Sequence, residues 1–147
     1  MEDSLNPNSS NMRQWLALAR MPGLGSRGIR RLLHQFGTPA RLFECATGGR
    51  HEAGLKPEIL AYLRSPDWDA VRQDMDWLRQ PGHHLLTLDH PLYPRLLGET
   101  ADPPPLLFVN GDPLLLSSPQ LAIVGSRNPS ASGRRTALDF AHCLAES

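Results

Sequence analysis

The residues with most chemistry to offer lie between Gly125 and Gly133, in the run LAIVGSRNPSASGRR. Ser126 and Ser130 supply hydroxyl donors, and Arg127 carries a fork of N–H groups that suits a phosphate. Gly125 permits a sharp turn ahead of them. A helix starting near Ser132 and Gly133 adds amides with no intrahelical acceptor and the positive end of its dipole. Phosphate is therefore the expected ligand, held by Gly125, Ser126, Arg127, Ser130 and Gly133. The run lacks the Gly-Lys-Ser/Thr of a P-loop and also lacks GxGxxG spacing, so neither nucleotide hydrolysis nor dinucleotide binding follows from it. Gly and Ser are ordinary turn formers as well, and spacing alone puts phosphate binding only a little ahead of a plain connecting loop.

GxGxxG does occur elsewhere, at Gly23, Gly25 and Gly28. The dinucleotide fingerprint needs a strand before it, whereas a helical pattern rich in Trp, Leu and Ala precedes this copy. A helix-hairpin-helix is the better match, with Gly23 and Gly25 letting backbone amides approach a DNA phosphate and Arg27, Arg30 and Arg31 adding charge. A compact turn between two helices, with the arginines on a solvated face, accounts for the same residues and leads on the sequence alone. Asp67, Asp69, Asp74 and Asp76 raise acid-base or metal chemistry, but the first two sit where a helix N-terminus welcomes negative charge. His83, His84 and His90 lack further ligands at useful spacing, and Cys45 and Cys143 lack CxxC spacing, so no metal site and no disulfide framework is expected.

Those residues need elements to hold them. Ser10 or Asn11 caps a predicted helix through Arg20, and MPGLG ends it. A second helix follows from about Ser26 to Phe36, with Ile29, Leu32, Leu33 and Phe36 at helical spacing and Gly37 as its stop. Thr38-Pro39 opens a short helix ending before Gly48-Gly49, Pro57 opens another, and Ser65-Pro66 opens a longer one bearing Trp68, Val71, Met75 and Leu78. Pro81-Gly82 closes the helical region. Strands are predicted over His83 to Leu88, Leu106 to Val109 and Leu121 to Val124, with proline-stiffened connections that bar a regular helix between the first two. The division is a polar leader over 1–11, a helical domain over 12–81 and the opening of an α/β domain over 82–147. A strand, loop and helix make only the start of a parallel sheet, so the chain is expected to be an N-terminal fragment.

Composition narrows the partners. Fifteen basic and fifteen acidic residues cancel over 147 residues, which excludes a strongly basic nucleic-acid coat and makes any phosphate contact local. Fourteen of the fifteen cations are Arg, an excess that codon bias explains as readily as phosphate recognition. The leader has no apolar core of a signal peptide, and no apolar run approaches the ~20 residues of a membrane span, so a soluble, cytoplasmic protein without membrane contact is expected.

The run YPRLLGETADPPPLLFVNGD, followed by LAIVGSRNPSASG, resembles the DNA-processing protein A family, DprA/Smf. The resemblance rests on Tyr93-Pro94, Leu97, Pro104-Pro105, Leu107, Gly111-Asp112 and above all Ile123-Val124-Gly125-Ser126-Arg127 with Ser130 and Gly133. The stretch MPGLGSRGIRRLLHQFG fits the family's helical N-terminal domain. The resemblance implies an α/β protein, with a sterile-alpha-motif-like or helix-hairpin-helix domain followed by an extended Rossmann-like domain, here truncated. It also implies single-stranded DNA as ligand, protection of that DNA in natural transformation, loading of the RecA recombinase, a homodimer when full length, and neither catalysis nor a cofactor. Gly125, Ser126, Arg127, Ser130 and Gly133 match the loop associated with DNA phosphate, and Gly23, Gly25 and Arg27 offer a secondary DNA contact. The rival from another class is a Rossmann-like nucleotide phosphoribohydrolase of the lysine-decarboxylase-like type, in which a similar loop binds a nucleoside phosphate.

Overall fold

Ser10 begins helix α1 (Ser10–Ala19), whose Met12, Leu16, Ala17 and Leu18 are buried. The computed structural model describes residues 10–48 and 54–146, so the leader up to residue 9 and the end of the expected Gly48-Gly49 stop lie outside the described residues. Past α1 the chain reverses in a type II turn. Leu24 N donates to Met21 O at 3.2 Å, Pro22 fixes the first central position, and Gly23 takes the left-handed second position at φ +71°. Helix α2 (Ser26–Phe36) then buries Ile29 and Leu32, and its end is closed by Gly37 at φ +83°, whose amide reaches Leu33 O at 2.7 Å.

Local signals set the next three helices. Thr38 accepts from Arg41 N and Pro39 occupies the first turn of α3 (Pro39–Thr47), which buries Leu42, Phe43 and Ala46. Helix α4 (Pro57–Arg64) starts at Pro57 and buries Leu63. Helix α5 (Trp68–Leu78) starts later than the Ser65-Pro66 reading predicts, because Ser65 closes α4 and Asp67 is the residue that caps, accepting from Ala70 N at 2.9 Å. Val71, Met75 and Leu78 form the buried stripe of α5.

Two strands follow, β1 (His83–Thr87) and β2 (Leu106–Asn110), paired antiparallel with His83 opposite Asn110 and Thr87 opposite Leu106. Leu85 and Leu106 join the cluster built by Leu16, Leu42, Leu63, Val71 and Met75 from the helices. Each fully buried side chain of this kind is worth roughly 1.5–3 kcal/mol over exposure. The connection between the strands carries one helical turn, α6 (Arg95–Gly98), despite its prolines. Those prolines flank the turn instead of interrupting it: Pro94 is its N-cap, and Pro103 and Pro105 are buried beyond it. Two phenols pin these layers. Tyr62 donates to Ala17 O at 2.8 Å and Tyr93 to Pro104 O at 2.7 Å, and burial raises the pKa of both.

The chain is thus mixed α/β and mostly helical, with one small two-stranded sheet among the described residues. It divides into two compact units, 1–117 and 118–147. The change from helix to strand comes near residue 81, whereas this division falls after a 3-10 turn over Pro113–Ser117. In the second unit, helix α7 (Ala131–Ala145) forms, but Leu121 to Val124 is not a strand. A helix satisfies its amides within itself, while a strand needs a neighbour, and no described strand pairs with this run.

Candidate nucleic-acid interface

The predicted phosphate loop is organised by its serines. Ser130 is the N-cap of α7, its hydroxyl accepting from Gly133 N at 3.1 Å. The same hydroxyl lies 3.1 Å from Ser132 Oγ. Ser126 Oγ closes a small ring on Asn128, accepting from its amide at 3.2 Å and donating to its carbonyl at 3.3 Å. Arg134 N reaches Ser130 O at 2.9 Å, so Gly133 has its side-chain acceptor while Ala131 and Ser132 are left with no intrahelical one.

Arg127, Arg134 and Arg135 are exposed, and no carboxylate pairs with any of them among the described residues. Three guanidinium groups thus cluster in sequence around a helix N-terminus, where the dipole is also positive. The roles of the two loop glycines differ from expectation. Gly125 does not have a positive φ, and a Cβ there would meet nothing within 4 Å, so its backbone does not require glycine in this conformation. A Cβ on Gly133 would lie 3.3 Å from Ser130 Oγ, which makes this glycine a matter of room beside the cap.

In the first unit, the three glycines of GxGxxG have three separate reasons. Gly23 makes the turn. Gly25 is the N-cap of α2, with no side-chain hydrogen bond at that end. Gly28 makes room for Leu24, whose Cδ1 would lie 2.4 Å from an added Cβ. None of these is a dinucleotide role, and the helix before the turn excludes the βα setting of that fingerprint. Gly23, Gly25 and Arg27 do share the wall of a cavity of about 660 Å³. Arg31, Lys56 and Asp102 also line it, and Asp102 Oδ2 stands 3.9 Å from Arg27 Nε. Nothing in the sequence singles out Lys56, one residue ahead of a helix-opening proline, or Asp102, in a proline-rich connection far along the chain.

The remaining candidates have structural occupations. Asp67 caps α5, Asp69 pairs with Arg72 at 3.0 Å, and Asp76 pairs with Arg79. Asp74 takes Arg20 in a two-point contact at 2.5 and 2.7 Å. His83 Nδ1 lies 2.7 Å from Trp77 O, its ring stacked on the indole at 3.8 Å, and His90 Nδ1 accepts from Leu92 N at 3.1 Å. No cluster of three or more His, Cys, Asp or Glu suited to a metal occurs among the described residues. No helix there is long and apolar enough to cross a membrane.

Residues 84–147 match the family model for DNA recombination-mediator protein A. Protein Smf of Escherichia coli (strain K12) is 43% identical over 76 residues, which are 52% of this chain and 20% of that protein. Protein Smf of Synechocystis sp. is 29% identical over 149 residues, covering 95% of this chain and 36% of the relative. DNA processing protein DprA of Bacillus subtilis is 40% identical over 58 residues, or 39% of this chain and 20% of that one. The chain therefore spans well under half the length of the curated relatives it matches.

Proposed function

These matches support assignment of the chain to the DprA/Smf family, and from that premise we propose that it takes part in DNA processing for transformation by holding the backbone of single-stranded DNA at the loop before α7. The observation that carries the reading is Arg127, exposed and without a carboxylate partner among the described residues, just ahead of a serine-capped helix end. Arg127 grips a phosphate oxygen pair, the amides of Ala131 and Ser132 donate to it, and Ser126, Ser130 and Gly133 set the shape of the loop. Contacts of this kind read backbone and not bases, which suits a protein that must accept any incoming strand. Gly23, Gly25 and Arg27 provide a secondary contact in the helical unit.

The finer fold reading belongs to the same proposal: a sterile-alpha-motif-like or helix-hairpin-helix domain over 12–81, and the opening of a Rossmann-like domain from residue 82. Loading of RecA and homodimer formation are proposed for the full-length protein, which acts in the cytoplasm without catalysing a reaction. The test is a salt titration of single-stranded DNA binding. Arg127→Ala is expected to weaken binding for all sequences and to flatten the slope of log K against log salt by about 0.7, one single-strand phosphate contact. Unchanged affinity and slope would remove the loop from the interface.

A further inference from the structure

Helix α5 and its C-cap carry Trp68, Arg72, Met75 and Arg79 in steps of four, three and four, so these side chains line one side of the helix. Helix α1 packs beside it, and Arg13 of α1 joins them, with Val71, around a cleft of about 170 Å³. Val71 and Met75 are buried and make its floor, whereas Trp68 is 43% exposed and all three arginines reach solvent. Arg20, just past α1, takes Asp74 of α5 in its two-point contact, which ties the two helices together. None of the lining residues belongs to the loop before α7 or to the α1–α2 turn.

The arginines are open to a ligand. Arg13 has no carboxylate partner among the described residues. Arg72 pairs with Asp69 at 3.0 Å and Arg79 with Asp76, each three residues back on the same helix surface. Solvent screens pairs this exposed, so a phosphate that meets the guanidinium fork with two oxygens displaces the carboxylate. Three guanidinium groups against two carboxylates also leave one positive charge at the cleft.

Spacing and shape choose among anions. Arg72 and Arg79 stand two helical turns apart, roughly 10 Å along the axis, a span that one small anion does not bridge and a charged polymer does. Trp68, held against Phe43 at a centroid distance of 6.2 Å, offers the rest of its indole to a flat ring. An acidic peptide has the charge without a ring at each repeat, and a duplex keeps its rings stacked on one another. A single strand has both, and stacking of its bases on an indole tolerates any sequence. We propose that the cleft between α1 and α5 is a contact surface for single-stranded nucleic acid, in which a base stacks on Trp68 while Arg13, Arg72 and Arg79 hold the flanking phosphates. The inference rests on the DNA-binding reading for its ligand and adds to it a surface that uses the faces of the bases.

Titration of the 147-residue chain with oligothymidylate, followed by tryptophan fluorescence, tests it. A stacked base quenches an indole, so emission is expected to fall saturably, and Trp68→Leu to lose that quench while Trp15 and Trp77 remain. Trp68 also packs on Phe43, so exposed positions supply an independent arm. Arg13→Gln with Arg72→Gln should weaken binding about tenfold and flatten the slope of log K against log salt by about 1.4, two single-strand phosphate contacts. Asp69→Asn with Asp76→Asn should tighten it, because Arg72 and Arg79 are released. No quench at any concentration, or parent affinity and slope in the arginine pair, overturns the proposal. Equal displacement of oligothymidylate by polyglutamate overturns the choice of nucleic acid and assigns the cleft to acidic peptides. Arg127→Ala separates the two readings. A quench with the parent midpoint in that variant supports the cleft and removes the loop, whereas weakened binding there with no quench in the parent chain does the reverse.

Discussion

Replacing Gly23 by alanine should destabilise the helical unit by roughly 1–2 kcal/mol, the cost of placing a Cβ in the left-handed region. No clash contributes, since nothing lies within 4 Å of the added atom, so the whole effect is conformational. The two neighbouring glycines serve as internal controls. Gly25→Ala has an ordinary φ of −77° and open space, and should lose less than about 1 kcal/mol, the N-cap preference against alanine. Gly28→Ala gains roughly 1 kcal/mol of helix propensity but drives Leu24 off its present position, because Cδ1 would lie 2.4 Å from the new Cβ. Displacing that side chain costs about 0.5–1.5 kcal/mol, so the two effects nearly cancel. Urea unfolding followed by tryptophan fluorescence reads all three. With a urea slope of about 1.5 kcal/mol per molar, Gly23→Ala lowers the midpoint by about 1 M and leaves the slope unchanged. A Gly23 variant that unfolds at the parent midpoint, or a Gly25 variant that falls furthest, would refute the division of roles.

Other substitutions probe the remaining supports. Leu42→Ala removes a fully buried side chain and should cost about 2–5 kcal/mol by equilibrium unfolding, the spread reflecting how far the site collapses. Stability should also fall in alkali. The pKa values of Tyr62 and Tyr93 are raised in the fold, chiefly by burial, so their contribution is complete below the ordinary phenol value near 10 and is lost as pH rises through the folded values. A pH series of urea midpoints should therefore bend downward above about pH 10, and less so in Tyr62→Phe with Tyr93→Phe. Ser130→Ala should cost the start of α7 about 1 kcal/mol, read as faster amide exchange at Gly133 and its neighbours, with the helical unit unaffected.

What the sequence disclosed followed the range of the interactions involved. Thr38-Pro39 and Gly37 act on their nearest neighbours, and each has the role its type predicts. The boundary at α5 slipped because Ser65 and Asp67 are both competent caps two residues apart, and only the end of α4 decides between them. The two strands were legible as apolar runs, but their antiparallel register depends on a long connection pinned by Tyr93. The apolar run Leu121 to Val124 looks like a strand, yet strand formation belongs to the ladder and not to the residues. The type of Gly125 predicts a turn that needs glycine, whereas its φ is not positive. The cavity is legible in the sequence only on its α2 side, through Gly23, Gly25, Arg27 and Arg31, because Lys56 and Asp102 join them from distant parts of the chain.

The helix ends at the loop before α7 and beside the α1–α2 turn differ in how they are held, and that difference has a physical origin. Helix α7 has no buried residue, so its stability leans on local terms, and the Ser130 cap is one of the few available. That cap uses the Gly133 amide, so the Ala131 and Ser132 amides are the ones left without an intrahelical acceptor at this end. Helices α2 and α4 are instead held by burial of Ile29, Leu32 and Leu63, which lets their ends remain uncapped at little risk to the fold. A cap and an anion compete for the same donors. The uncapped first-turn amides of α2 and α4 therefore lie in the helical unit, whereas a phosphate at the loop before α7, as proposed, depends on the arginines there and should be held less tightly as salt rises.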